Sequence, residues 1–113
     1  MISQKHRFHG YGSLRTVYKN GQTIHGTAIS LRVGKRDERK QYRVAVVVSK
    51  KVSKSAVVRN RIRRRIYEQV RQQGTGIPGG CDLVFTVFSD QLAELDADKL
   101  AKTISALLQK LPR

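Results

Sequence analysis

Between Arg59 and Arg65 the chain places five arginines in seven positions. A run like this has two stable fates: a solvated tail, or one face of an element whose other face is buried. The flanking residues decide between them. Val58, Ile62, Ile66 and Val70 recur every four residues, which on a helix builds one stripe covering roughly 120°. Asn60, Arg61, Arg64 and Arg71 fall on the opposite arc, with Arg59 and Arg63 at one edge of the stripe and Arg65 at the other. The spacing predicts a helix that buries one face and holds a comb of guanidinium groups on the other. Ser55 supplies an N-cap, and the helix should run to about Gln73. Planar, bidentate donors in fixed register suit a phosphate backbone, and folded RNA above all.

The charge points to the same partner. The 113 residues include 23 Lys and Arg against 8 Asp and Glu, a formal net charge of +15. Residues 1–71 hold 19 basic and 3 acidic residues, a net of +16, whereas residues 72–113 hold 4 and 5, a net of −1. Self-repulsion of this size opposes compaction and is relieved by a polyanion. The length fits one domain over residues 1–113 with one core, with 1–10 a mobile basic arm. The single cysteine, Cys81, leaves no internal disulfide, and no Cys or His cluster has metal-ligand spacing. Cys81 reads as a small core-edge residue entering a strand. No apolar run approaches the ~20 residues that cross a bilayer. The basic N-terminus lacks the apolar stretch of a secretory signal. The cytoplasm is therefore the expected compartment, with no membrane and no obligate protein partner.

The rest of the chain orders itself around this helix. Tyr11 to Lys19 predicts a short helix that Asn20-Gly21 stops. Thr23 to Val33 is rich in β-formers, with Gly26 a bend between two strand segments. Lys35 to Gln41 holds six charges in seven residues and reads as an exposed hairpin tip. Tyr42 to Ser49 is a strand, and its Ala45-Val46-Val47-Val48 run, apolar on both faces, predicts a central position. Lys50 to Lys54 is a basic loop. Leu83 to Phe88 is a second central strand after a glycine-rich turn. Asp96 caps a last helix with Leu100, Ile104, Leu107, Leu108 and Leu111 on its core face. The order predicts an α+β fold: one sheet with helices packed on it. The strand, arginine helix, strand connection is a βαβ crossover, which the general rule makes right-handed.

Catalysis by the protein has little to stand on. Asp37, Glu38, Glu68, Asp82, Asp90, Glu94, Asp96 and Asp98 fall mostly in tips, caps and loops, and none pair at catalytic spacing within the basic part. A two-histidine acid–base mechanism through His9 and His25 stays open. The glycines of 74–80 lack the following Lys-Ser/Thr and helix of a phosphate loop. Tyr18, on the first helix and facing Thr27 to Val33, is a candidate platform for a base. Packing that helix on the sheet is the other reading.

From Val48 to Glu68 the chain reads V-S-K-K-V-S-K-S-A-V-V-R-N-R-I-R-R-R-I-Y-E. This resembles the signature of the bacterial ribonuclease P protein component: V-S-K-K, a short loop, then R-N-R-x-K-R-x-x-R-E on a helix. The likeness extends over nearly the whole chain, including Arg7-Phe8 and the turn Val17-Tyr18-Lys19-x-Gly21. It implies an αβββαβα order with a central mixed sheet and a left-handed βαβ crossover, contrary to the general rule. It implies a protein that binds the catalytic RNA of ribonuclease P and the 5′ leader of precursor tRNA, while the RNA removes the leader using Mg2+ that it mainly holds itself. By position, Lys50, Lys51, Lys54, Arg59, Asn60, Arg61, Arg63, Arg64 and Arg65 are implied to face the catalytic RNA. Leu14, Tyr18, Ile29 and Arg32 are implied to line a leader cleft between the first helix and the sheet. The loop from Lys51 to Arg59 is one residue longer than the family pattern. Tyr67 stands where the family often has arginine, with Arg65 expected to supply the charge. Leu14 and Arg32 stand where relatives often have cleft aromatics. The alternative function is a ribosomal or other structural RNA-binding protein. A DNA-binding module is weaker, since nothing resembles a helix-turn-helix pair or finger spacing.

Overall fold

Strand alternation and the four-residue apolar period both carry through into the computed structural model, which describes residues 22–26, 28–35, 42–74, 77 and 79–111. Four strands form a mixed sheet: β1 (Gln22–Ile24), β2 (Ile29–Lys35), β3 (Arg43–Val47) and β4 (Cys81–Val87), in spatial order β1-β2-β4-β3. β4 runs antiparallel to β2 and parallel to β3. Parallel neighbours need a crossover, and helix α1 (Ala56–Gln73) provides it between β3 and β4. A 3₁₀ turn (Asp90–Ala93) and helix α2 (Ala97–Gln109) complete the described chain. The fold is α+β, as expected, and the arm at 1–10 and the short helix at 11–19 lie outside the described residues.

One face of the sheet carries the core. Ile29, Leu31 and Val33 of β2, Val44 and Val46 of β3, and Cys81, Leu83, Phe85 and Val87 of β4 are all buried there. Ile62, Ile66 and Val70 of the α1 stripe join them, as do Leu100, Ile104, Leu107, Leu108 and Leu111 from α2 and its end. Val58 is only half-buried, and Tyr67 completes the stripe instead. Two glycines mark necessary bends. A Cβ on Gly26 would lie 2.5 Å from the Ile29 carbonyl oxygen, so the turn between β1 and β2 closes only around glycine. Gly80 enters β4 at φ 77°, a left-handed conformation that side chains disfavour.

Two expectations are corrected. β3 is an edge strand among the described residues, and only β4 of the two apolar strands is central. The outward face of β3 is apolar for another reason: Ala45 packs with Val84 and half-buried Val47 in a small cluster on the far side of the sheet. Nor do β2 and β3 form the hairpin that the charged stretch is expected to tip. β4 lies between β2 and β3, so these strands are not paired, and Lys35 belongs to β2. Residues 36–41 lie outside the described residues.

An edge strand exposes unpaired backbone donors. Here the Val46 N–H donates to Tyr67 Oη at 3.3 Å, so α1 caps β3 from the helix side. This gives Tyr67 a structural task at the position where arginine was the family expectation. Tyr67→Phe keeps the ring and deletes the acceptor. The expected cost is about 1 kcal/mol, a fall of roughly 4 °C in melting temperature. An unchanged thermal melt would show that this bond contributes nothing.

Candidate nucleic-acid interface

The basic surface begins in the loop that feeds α1. The Val52 N–H donates to the Ser49 carbonyl at 3.1 Å, turning the chain at Lys50 and Lys51. Ser53 Oγ accepts from Ser55 N–H at 3.2 Å, and Ser55 Oγ accepts from Val58 N–H at 3.3 Å, the predicted N-cap. Lys50, Lys51 and Lys54 are all exposed. The first turn of α1 contains no acidic residue, so the positive end of the helix dipole adds to the side-chain charge rather than being offset.

The arginines do not form the free comb that spacing predicts. Arg65 reaches across to the 3₁₀ turn, donating to the Leu92 carbonyl at 2.6 Å and also to the Leu95 carbonyl. Arg61 Nε donates to the Ala93 carbonyl at 2.7 Å, and its guanidinium lies 3.8 Å from Glu94. Arg59 donates to the Ser53 carbonyl at 2.9 Å. Arg63 bonds Asn60 Oδ1 at 2.7 Å and the Val48 carbonyl at 3.3 Å. Arg64 is exposed and makes no hydrogen bond or ion pair among the described residues. A guanidinium has five N–H donors, so each tethered arginine keeps at least three for a ligand. The carbonyls therefore orient the row. Further along, Arg71 pairs with Glu68 and holds that carboxyl down at about 2.

The sheet face opposite the core carries Arg32, half-buried and paired in register with Val84. Ile29 is corrected as a cleft residue. It is fully buried on the core face, opposite to Arg32, so it supports the sheet rather than lining that surface. Leu14 and Tyr18 lie outside the described residues. On the same face as Arg32, and directly across the β3–β4 pairing, Arg43 holds Asp82 in a fork of 2.9 and 2.8 Å. The hydrogen bonds to Asp82 raise the Arg43 pKa further. Sequence reading missed this pair, and opposite charges on two neighbouring strands become informative only once the register is known. His25 sits exposed between β1 and β2, while His9 lies outside the described residues. Among the described residues, no group of three or more His, Cys, Asp or Glu side chains is placed to hold a metal ion. None of their helices is long and apolar enough to cross a membrane.

A βαβ crossover thus carries a fixed arginine row behind a lysine loop. The family model described as Ribonuclease P matches residues 2–112. The chain belongs to the ribonuclease P protein family. A ribonuclease P protein component from Caldanaerobacter subterraneus subsp. tengcongensis is 37% identical over 101 residues, covering 87% of this chain and 82% of the relative. One from Pseudanabaena is 34% identical over 87 residues, covering 77% and 75%. The RNase P protein from Thermotoga maritima has the same fold, with a TM-score of 0.81 at 22% identity over 95% of this chain and 98% of that one. The Staphylococcus aureus RNase P protein superposes with a TM-score of 0.80 at 20% identity, covering 92% and 93%. Within this family frame, the R-N-R motif of this chain divides in two. Arg59 is tied to its own loop, and Arg61 is tied to the segment before α2.

The tethers separate structural from free arginines. Arg65→Ala removes two charge-assisted bonds to carbonyls, expected to cost about 1–2 kcal/mol at this half-buried site and to lower the melting temperature by roughly 5 °C. Arg65→Lys should recover little, because bridging two carbonyls needs the planar fork. Arg64→Ala should melt like the wild type. Equal melting temperatures for all three variants would show that Arg65 does not clamp α1.

Proposed function

We propose that this protein is the protein subunit of ribonuclease P, which binds the catalytic RNA through the lysine loop and the arginine row. The precursor tRNA then lies with its 5′ leader on the sheet face that carries Arg32. The RNA performs the cleavage, with Mg2+ bound mainly by RNA, in the cytoplasm. The observation that carries this reading is the row itself. Arg59, Arg61, Arg63 and Arg65 are held by backbone carbonyls while keeping donors open.

The mechanism is electrostatic and geometric. Bringing a leader against a catalytic RNA sets two polyanions side by side. A protein of charge +15 between them lowers that repulsion. Tethered guanidiniums lose less rotational freedom on meeting phosphate than free ones, so more of each contact appears as affinity. Membership of the family supports the partner, and the charge distribution supports the placement on α1 and its loop.

Two measurements test this. Arg64 is the cleanest probe, because among the described residues it has no tether to lose. Arg64→Ala should weaken catalytic-RNA binding and flatten its salt dependence by roughly 0.7–0.9 units of log–log slope, and Arg61→Ala,Arg64→Ala by about one to two. A slope equal to wild type would remove α1 from the RNA interface. If ribosomal RNA, rather than one structured RNA with precursor tRNA, is recovered with the protein, the alternative reading replaces this one. The division of labour is tested separately. His9→Ala and His25→Ala should leave the maximal single-turnover cleavage rate of the reconstituted enzyme nearly unchanged. A loss of roughly a hundredfold with RNA binding intact would assign acid–base work to the protein.

A further inference from the structure

Phe88 is the large aromatic that the described residues leave mostly open, with 59% of its surface exposed. It is not a loose side chain on a frayed end. Its N–H donates to the Ala28 carbonyl at 2.8 Å, which extends the β2–β4 ladder one step beyond Val87. The next residue, Ser89, accepts from Gln91 N–H at 3.2 Å and starts the 3₁₀ turn. The backbone is therefore fixed on both sides of an exposed ring.

Strand alternation gives the direction. Leu83, Phe85 and Val87 face the core, so Val84, Thr86 and, with the extended ladder, Phe88 fall on the opposite face. That face carries Arg32, paired with Val84. Four residues along β4 separate Val84 from Phe88, about 13–14 Å. Val47 pairs with Thr86 on the other side, so β3 leaves the sheet toward Lys50 and Lys51 at the Phe88 end. Phe88 thus stands on the Arg32 face, at the end of the sheet where β3 leaves for the basic loop. An exposed aromatic beside a cationic surface is the usual platform for an unpaired base.

We propose that Phe88 stacks a base of the single-stranded 5′ leader, as the platform closest to the catalytic RNA. This rests on the reading that the leader crosses the Arg32 face. Arg32 then meets the leader further from the cleavage junction. A stacked strand advances about 3.4 Å per nucleotide, so the two contacts are separated by about four nucleotides. The ring also gives this chain an aromatic contact that its Leu14 and Arg32 positions do not supply. Stacking tolerates any base, so the contact favours leader over no leader without selecting its sequence.

The test is the ratio of dissociation constants for precursor and mature tRNA with reconstituted holoenzyme, using leaders from one to ten nucleotides. Phe88→Ala should lower the preference for precursor by about tenfold, equivalent to about 1.4 kcal/mol. Phe88→Leu should lose nearly as much, because it keeps apolar bulk without a planar face, and Phe88→Trp should keep the preference. The salt slope should not change, since no phosphate contact is removed. The Phe88→Ala loss should be present with the shortest leaders that bind, whereas the Arg32→Ala loss should grow in about four nucleotides later. If Phe88→Ala keeps the wild-type ratio while Arg32→Ala lowers it, Phe88 is not a leader contact although the leader path stands. A weaker affinity for the catalytic RNA alone would move the ring onto that RNA and overturn the inference. A wild-type ratio in Phe88→Leu would overturn stacking. If neither Phe88→Ala nor Arg32→Ala changes the ratio, the leader path itself fails. Thermal melts of all variants accompany the measurement, and the Leu and Trp variants decide it should alanine disturb the fold.

Discussion

The burial of the α1 stripe holds this structure together against its own charge. On a helix, Arg59 and Arg63, Arg61 and Arg65, and Arg61 and Arg64 are neighbours at spacings of four or three. Each such like-charge pair costs ~0.2–0.5 kcal/mol, so the three together oppose the helix by about 1 kcal/mol. Ile62, Ile66 and Val70 are fully buried against the sheet. Burying such side chains contributes ~1.5–3 kcal/mol each. Burial wins by several-fold, and the arginines need only be tolerated on the remaining arc. The sheet therefore fixes where the cations are. A detached peptide of this sequence would keep the charge and lose the register.

Burial fixes the helix but not the ends of long side chains. That second step falls to backbone carbonyls, an unusual partner for so many arginines. The carbonyls of Leu92, Ala93 and Leu95 lie at and just after the 3₁₀ turn, and Arg61 and Arg65 reach all three. A short 3₁₀ turn leaves carbonyls that cannot find partners within itself. The arginines satisfy them, and the turn orients the arginines. One set of contacts thus joins α1 to the segment leading into α2, and links folding of the C-terminal part to presentation of the basic row.

Much of this architecture was legible in the sequence, because periodicity reports burial directly. The α1 stripe, its Ser55 cap and the end at Gln73 follow from spacing and capping chemistry. So does the core face of α2, although the Asp96 side chain makes no capping hydrogen bond. The position of β3 was not legible. A run apolar on both faces fits a central strand, and also an edge strand with a small cluster behind it, as with Ala45 and Val84. The clamp was hidden for a related reason: its acceptors are backbone atoms 27 to 32 residues from their donors. Ile29 was readable and misread. It is three residues from Arg32, and strand parity places residues at odd separation on opposite faces. A shared surface for the two was excluded as soon as both were placed in one strand.

The distribution of lysine and arginine follows from the same physics. Lys50, Lys51 and Lys54 occupy a loop where the side chains are exposed. A flexible point charge there attracts a polyanion from a distance and adapts on contact. The helix positions use arginine at every cationic site from Arg59 to Arg65. A guanidinium can bond a carbonyl through one edge and still offer a planar pair of donors on another, whereas an ammonium presents all its donors from one nitrogen. A lysine at Arg61 that turned to the Ala93 carbonyl would spend its single charged centre on the fold. The arginine bonds the fold through Nε, while its outer nitrogens stay on the exposed side, 3.8 Å from the Glu94 carboxylate and beyond hydrogen-bond distance of it. On the proposed reading, the choice of cation separates residues that attract RNA from residues that also hold the surface offered to it.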